Sequence, residues 1–131
     1  MTDNVARARR SYEAFARGDL DGALRSMDAE IVWHEAEGLP HGGVYHGLAA
    51  VREHVFGPLD PWWEGFAATP EEFLSLGQHV LVLGRYTGQA KATGAALDAP
   101  FAHLWTFRDG RAVLFRQFTD THAWVTALGA G

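Results

Sequence analysis

The chain has 131 residues, 47% of them apolar and 21% charged, a balance that fits one folded domain with a sizeable core and excludes a disordered segment. A net charge of −5 without any run of Lys or Arg argues against nucleic acid or an anionic membrane surface as a partner. With no cysteine, disulfides, thiolate nucleophiles and cysteine metal sites are excluded.

The opening stretch "MTDNVARARR" lacks the apolar core of a signal peptide, and no apolar run approaches the ~20 residues needed to span a bilayer. A cytoplasmic protein is the default expectation. Five Trp, eight Phe and three Tyr are the unusual feature, because large aromatics need a thick core, an interface or a ligand cavity to cover them.

Residues 3–17 place Val5, Ala8, Tyr12 and Phe15 three or four apart, one apolar helical stripe. Gly18 can close this helix in the left-handed conformation, and Asp19 can cap a second short helix through "LDGALRSM". "EIVWHE" sets Ile31, Trp33 and Glu35 against Val32 and His34, a strand pattern. A Gly-rich loop, "AEGLPHGG", follows. A third helix is predicted over residues 48–56, stopped by Gly57-Pro58. "GPLDPWWEGF" then puts Trp62 and Trp63 in a loop, one to roof a cavity and the other to pack in the core or at a dimer contact.

The remainder reads as strand and turn. "FAATPEEFLSL" is interrupted at Pro70, which cannot donate to a ladder and marks an edge or a bulge. "HVLVLGRYTGQA" is the most regular β pattern, and "KATGAALDA" the loosest stretch, a hairpin tip or flap. "FAHLWTFRDGRAVLFRQFTD" forms two strands around a tight Asp109-Gly110 turn. "DTHAWVTAL" closes the chain as a short helix capped by Asp120 or Thr121. Helices gathered before a run of strands indicate a single α+β domain over residues 1–131, with helices covering the concave face of a strongly bent antiparallel sheet. Such a sheet leaves a conical cavity lined by the inward strand positions.

Strand parity selects the residues that face it. Phe101, His103, Trp105 and Phe107 share one face, and Phe115, Gln117 and Thr119 share the matching face of the next strand. An imidazole among aromatics is desolvated and stays neutral, able to donate with one nitrogen and accept with the other. The alternative is a core histidine satisfied by a neighbour. The argument for a site requires His103 and Gln117 to look inward at one shared void.

"ARGDLDGALRSMDAEIVWHE", "GGVYHGLAAVREHVF" and "PFAHLWTFRDGRAVLFRQFTDT" together resemble the nuclear transport factor 2-like superfamily, and within it the SnoaL-like and ketosteroid-isomerase-like group. The resemblance runs over nearly the whole chain and implies a cone-shaped fold holding a small hydrophobic ligand, no cofactor, and a homodimer paired through the outer sheet face. It implies less about reaction, because this fold hosts isomerases, polyketide cyclases, epoxide hydrolases and dehydratases. By resemblance, His103 matches the isomerase residue that hydrogen-bonds the developing oxyanion, and a histidine of the cyclases. Glu35 falls where the isomerases carry a general base, a role that asks for a carboxylate in an apolar setting. It also stands beside Glu37 and a Gly-rich loop, where an exposed glutamate is the rule.

Gln117 stands where cyclases and epoxide hydrolases carry an aspartate; an amide can orient a ligand but not take a proton. Arg85 and Thr87 sit where the hydrolases have an arginine followed by an aspartate. Arg85 reads either as a clamp for a ligand oxygen or as half of a surface ion pair. The oxyanion tyrosine of the isomerases has no clean counterpart: Ser11 is nearest its position, with Tyr12 one residue on, a turn of about 100°.

The candidate catalytic set is therefore Glu35, His103, Gln117 and Arg85. Candidate ligand contacts are Trp33, Tyr12, Phe15, Phe56, Trp63, Phe66, Phe101, Trp105, Phe115 and Thr119, although Phe15, Phe56 and Phe66, with Phe73, read first as core. His34, His41 and His46 lie near Glu35 and Glu37, but their spacing fits no pair on one helix, so no metal is expected. The expected function is a cofactor-independent acid/base enzyme of isomerase or cyclase type on a small hydrophobic carbonyl compound. The alternative is a binding protein for an apolar metabolite; an interaction module would need a filled cavity.

Overall fold

A computed structural model describes residues 3–129. Helix α1 (Asn4–Ala16) starts where the Asp3 carboxylate accepts from the Ala6 N–H and buries Ala8 and Tyr12, the middle of the expected stripe. Gly18 turns the chain with φ 79°, and Asp19 caps α2 (Leu20–Leu24) by accepting from the Gly22 N–H at 2.9 Å. β1 (Met27–Glu35) follows, then β2 (Gly43–His46), and α3 (Leu48–Val51), which widens into a π-helical turn over Arg52–Phe56. A single turn, α4 (Leu59–Trp62), leads into β3 (Trp63–Leu76), β4 (His79–Ala90), β5 (Ala96–Arg108), β6 (Arg111–Thr119) and α5 (Thr121–Leu128), the last capped by Asp120.

The six strands form one curled, unclosed sheet in the order β2-β1-β6-β5-β4-β3. Neighbours are antiparallel except β1 and β6, which run parallel. The fold is α+β, with the helices on the concave side. β3 is an edge strand, and its register slips between Pro70 and Glu72 as the missing proline N–H requires. At the β5–β6 turn Asp109 and Gly110 both take positive φ, 51° and 78°, the twist-matched geometry of a two-residue hairpin.

Three segments differ from the sequence reading. β2 starts at the last residue of the expected Gly-rich loop and covers residues 44–46, to which no element was assigned; four residues are too few for an alternation signal, and β2 is recruited by pairing with β1 (Trp33 against Tyr45). The stretch expected to be loosest turns at residues 91–93 and is in the ladder again by Ala96, where alanines gave no β-branched signal yet Leu97 and Ala99 are fully buried. Trp62 and Trp63 occupy α4 and the start of β3 rather than a loop, and neither roofs the main cavity: Trp63 is buried against Trp124, and Trp62 edges onto His41. Among the described residues no helix is long and apolar enough to cross a membrane.

Candidate functional site

The inward positions of five strands, β1 and β3 to β6, and of α1, α2, the π-helical turn, α4 and α5 line a cavity of about 70 Å³. Parity delivers its walls. His103 pairs with Gln117 across β5–β6, and Trp105 with Phe115, so all four project to the concave side. β1 adds Trp33 and Glu35, with Trp33 stacked on Phe115 at 3.7 Å. β4 adds Tyr86, α1 adds Tyr12 and Phe15, the π-helical turn adds Phe56, α4 adds Leu59 and β3 adds Phe66. No Lys or Arg lines the cavity.

Two polar assemblies sit within this aromatic shell. In the first, His103 lies between two phenols: Tyr12 Oη is 2.5 Å from Nδ1, and Tyr86 Oη is 2.5 Å from Nε2. Trp105 Nε1 donates to Tyr12 Oη at 3.0 Å, and Gln117 Nε2 donates to Tyr86 Oη at 2.9 Å. Gln117 Oε1 in turn accepts the Ala36 N–H, which fixes the amide's orientation. Phe101 stacks flat on His103 at 4.0 Å from outside the cavity. Burial holds His103 down to about 3, so the ring is neutral at physiological pH. Burial raises both phenols; for Tyr86 the charge of Glu35 is the next largest cause, acting in the same direction.

The second assembly is centred on Glu35, which is buried in spite of its Gly-rich neighbourhood. Trp33 Nε1 donates to Oε1 at 2.7 Å. His41, from the loop after β1, brings Nε2 to 2.8 Å from Oε2, although the ring N–H does not point along that contact. His41 is packed between Trp62 and Trp124, and its Nδ1 has no partner.

Of the residues selected from sequence, Glu35, His103 and Gln117 meet at the cavity, as do Trp33, Tyr12, Phe15, Phe56, Phe66, Trp105 and Phe115. Four do not. Arg85 is on the outer face of β4, exposed, and donates to Asp98 at 2.5 Å, so it is no ligand clamp; odd parity with Tyr86 sends it outward. Phe101 shares the inward face but stands behind the imidazole, over Gly84, where any Cβ would collide with the ring. Trp63 is core, bordering only a separate surface recess beside α2. Thr119, the last residue of β6, donates to the Pro100 carbonyl and borders a separate recess rather than the cavity. Tyr86, His41 and Trp124 were missed. Tyr86 was legible from parity with Val80 and Val82, which share its face of β4, opposite Arg85 and Thr87.

A bent sheet closed by helices over an aromatic chamber, with a carboxylate and a phenol–imidazole array lining it, defines a pocketed α+β cone. The model of the SnoaL-like domain matches residues 8–115. An NTF2-like protein from Burkholderia thailandensis is 29% identical, with a TM-score of 0.93 and 98% of both chains covered. An NTF2-like protein of unknown function from Burkholderia pseudomallei is 30% identical, with a TM-score of 0.89 and the same coverage. TerC, co-crystallised with polyporic acid, is 28% identical with a TM-score of 0.86, covering 96% of this chain and 98% of its own. No individually curated protein matches the sequence. The chain belongs to the SnoaL-like family, on the NTF2-like fold.

Proposed function

We propose that this protein is a cofactor-independent acid/base enzyme that moves a proton on a small, hydrophobic carbonyl compound. One observation carries the reading: Glu35 and the Tyr12–His103–Tyr86 array line the same cavity. In the step proposed, Glu35 takes a proton from the carbon next to the carbonyl. The C–H pair becomes a C=C bond, the carbonyl π pair moves onto oxygen, and a phenol O–H stabilises the resulting oxyanion. His103 has both nitrogens occupied by tyrosines, so it acts through them rather than on the ligand. Gln117 is likewise engaged at both ends and positions Tyr86. That TerC was crystallised with polyporic acid supports an oxygenated organic ligand.

The test needs no known substrate. A panel of cyclic ketones is incubated with the protein in D2O, and deuterium at the α-carbon is followed by mass spectrometry. Wild type is expected to accelerate exchange, and Glu35→Gln to lose the acceleration by about 10²-fold or more while ligand binding persists. Full activity in that variant removes Glu35 from the mechanism.

A binding protein without turnover is the second reading, and the internal satisfaction of His103 and Gln117 favours it. It predicts that ketones quench the tryptophans with no exchange. We also propose a homodimer through the outer sheet face, supported by exposed Val44 and Phe118 on that side.

A further inference from the structure

The hydrogens of the phenol–imidazole array can be counted. A neutral imidazole carries one N–H and one bare nitrogen. One tyrosine must therefore donate into the bare nitrogen, while the other accepts from the N–H. The accepting tyrosine keeps its own hydroxyl hydrogen unused. Neither hydroxyl has a further protein acceptor among the described residues, since the remaining contacts, from Trp105 and Gln117, are themselves donors. Both phenols line the cavity, so the spare hydrogen faces it. The array thus offers a ligand one hydroxyl donor, at Tyr12 or at Tyr86, and never both.

We propose that Tyr86 is that donor, with His103 held as the Nε2–H tautomer, and that the ligand is a neutral compound presenting one carbonyl oxygen to Tyr86 Oη. This deepens the reading given under the proposed function and rests on it for the chemistry, though not for the binding geometry. In this arrangement Tyr12 accepts from Trp105 and donates to Nδ1, while Nε2–H and Gln117 both donate to Tyr86 Oη. Two accepted bonds fill the phenol oxygen's lone pairs and leave its hydrogen to aim outward.

The choice between the tyrosines is electrostatic. Glu35 adjoins Ala36, whose N–H fixes the Gln117 amide that donates to Tyr86 Oη, so the carboxylate stands on the Tyr86 side of the array, and its charge acts on that phenol. A carboxylate attracts the positive end of an O–H dipole, so the spare hydrogen is better placed at Tyr86. The same carboxylate, with no Lys or Arg in the lining, disfavours an anionic ligand and leaves a neutral ketone.

Nitrogen-15 spectra of histidine-labelled protein test this directly, without ligand or turnover. For His103 at pH 7 they should show a protonated Nε2 and a bare Nδ1, unchanged in Tyr12→Phe. A proton on Nδ1 would move the donor to Tyr12, and an imidazolium would destroy the count; either overturns the proposal. In a second arm, 1-tetralone carrying a carbon-13 carbonyl is followed by infrared difference spectroscopy. Its stretch should fall on binding to wild type. In Tyr86→Phe that shift should shrink and affinity should drop about tenfold. A shift abolished by Tyr12→Phe and kept in Tyr86→Phe overturns the assignment. Absence of ketone deuteration with the expected tautomer would defeat the enzymatic reading alone.

Discussion

The imidazole of His41 lies 2.8 Å from the Glu35 carboxylate, with both side chains only 4% exposed. Trp33 takes the other carboxylate oxygen. The carboxylate is thus held from two sides, one of them a loop residue whose position depends on tight packing. The loop turns at Gly42, where a Cβ would collide with the Ala36 carbonyl, and Tyr45 Oη donates to the His41 carbonyl at 2.7 Å. His41→Ala removes the imidazole packed against the buried carboxylate and leaves a void beside it, a loss expected to cost about 1–3 kcal/mol in urea unfolding. His41→Gln supplies an amide donor and should recover part of it. A change below about 1 kcal/mol in His41→Ala would mean that the contact holds nothing.

Acid sensitivity follows from His103. Its folded value is lowered to about 3 by burial, against 6.5 for an ordinary imidazole. Above 6.5 both the folded and unfolded chains carry it neutral, and it contributes no pH dependence. Between 6.5 and 3 the unfolded chain binds a proton that the folded one refuses, so stability falls as pH falls, by about 1.4 kcal/mol per pH unit at most. His103→Gln removes this contribution. The stability gap between wild type and the variant should narrow from pH 6 to pH 4 in urea titrations; parallel curves would show that His103 is not held neutral.

Arg85→Ala separates the outer face from the cavity. The Arg85–Asp98 pair is solvent-exposed on both sides, 44% and 65%. Such pairs contribute about 0–1 kcal/mol. The variant should keep wild-type ketone binding and exchange, with a stability change within that range. A tenfold loss of binding would return Arg85 to the site.

The difference between what was legible and what was not lies in the range of the interactions. The α1 stripe, the Asp19 cap, the Asp109-Gly110 hairpin and the inward parity of His103 and Gln117 follow from local rules, and each is present. Tyr12 bonds to His103 across 91 residues of sequence, and Gln117 holds the Ala36 N–H across 81. Such pairings depend on the sheet's register and curl, which no short window encodes. Phe101 shows the limit of parity alone: it shares a face with His103 but stands behind it, because Gly84 leaves room there for a ring.

The outer face of the sheet carries the last prediction. Register lines Leu81, Leu104, Arg116, His34 and Val44 across five strands, and Leu83, Ala102 and Phe118 in the row beside them. Phe118 is 53% exposed and Val44 50%, so the face carries apolar side chains open to solvent in the single chain, with Arg116 and His34 between them. Apolar surface of this kind is covered by association when a partner offers a matching one, and a second copy offers the same rows by symmetry. Sedimentation equilibrium of the wild type should give twice the 14.4 kDa chain mass. Phe118→Glu places a charge at the centre of the contact and should return the protein to a single chain, with its tryptophan fluorescence and ketone binding retained. A wild type that sediments at one chain mass at every concentration leaves this face without a role in self-association.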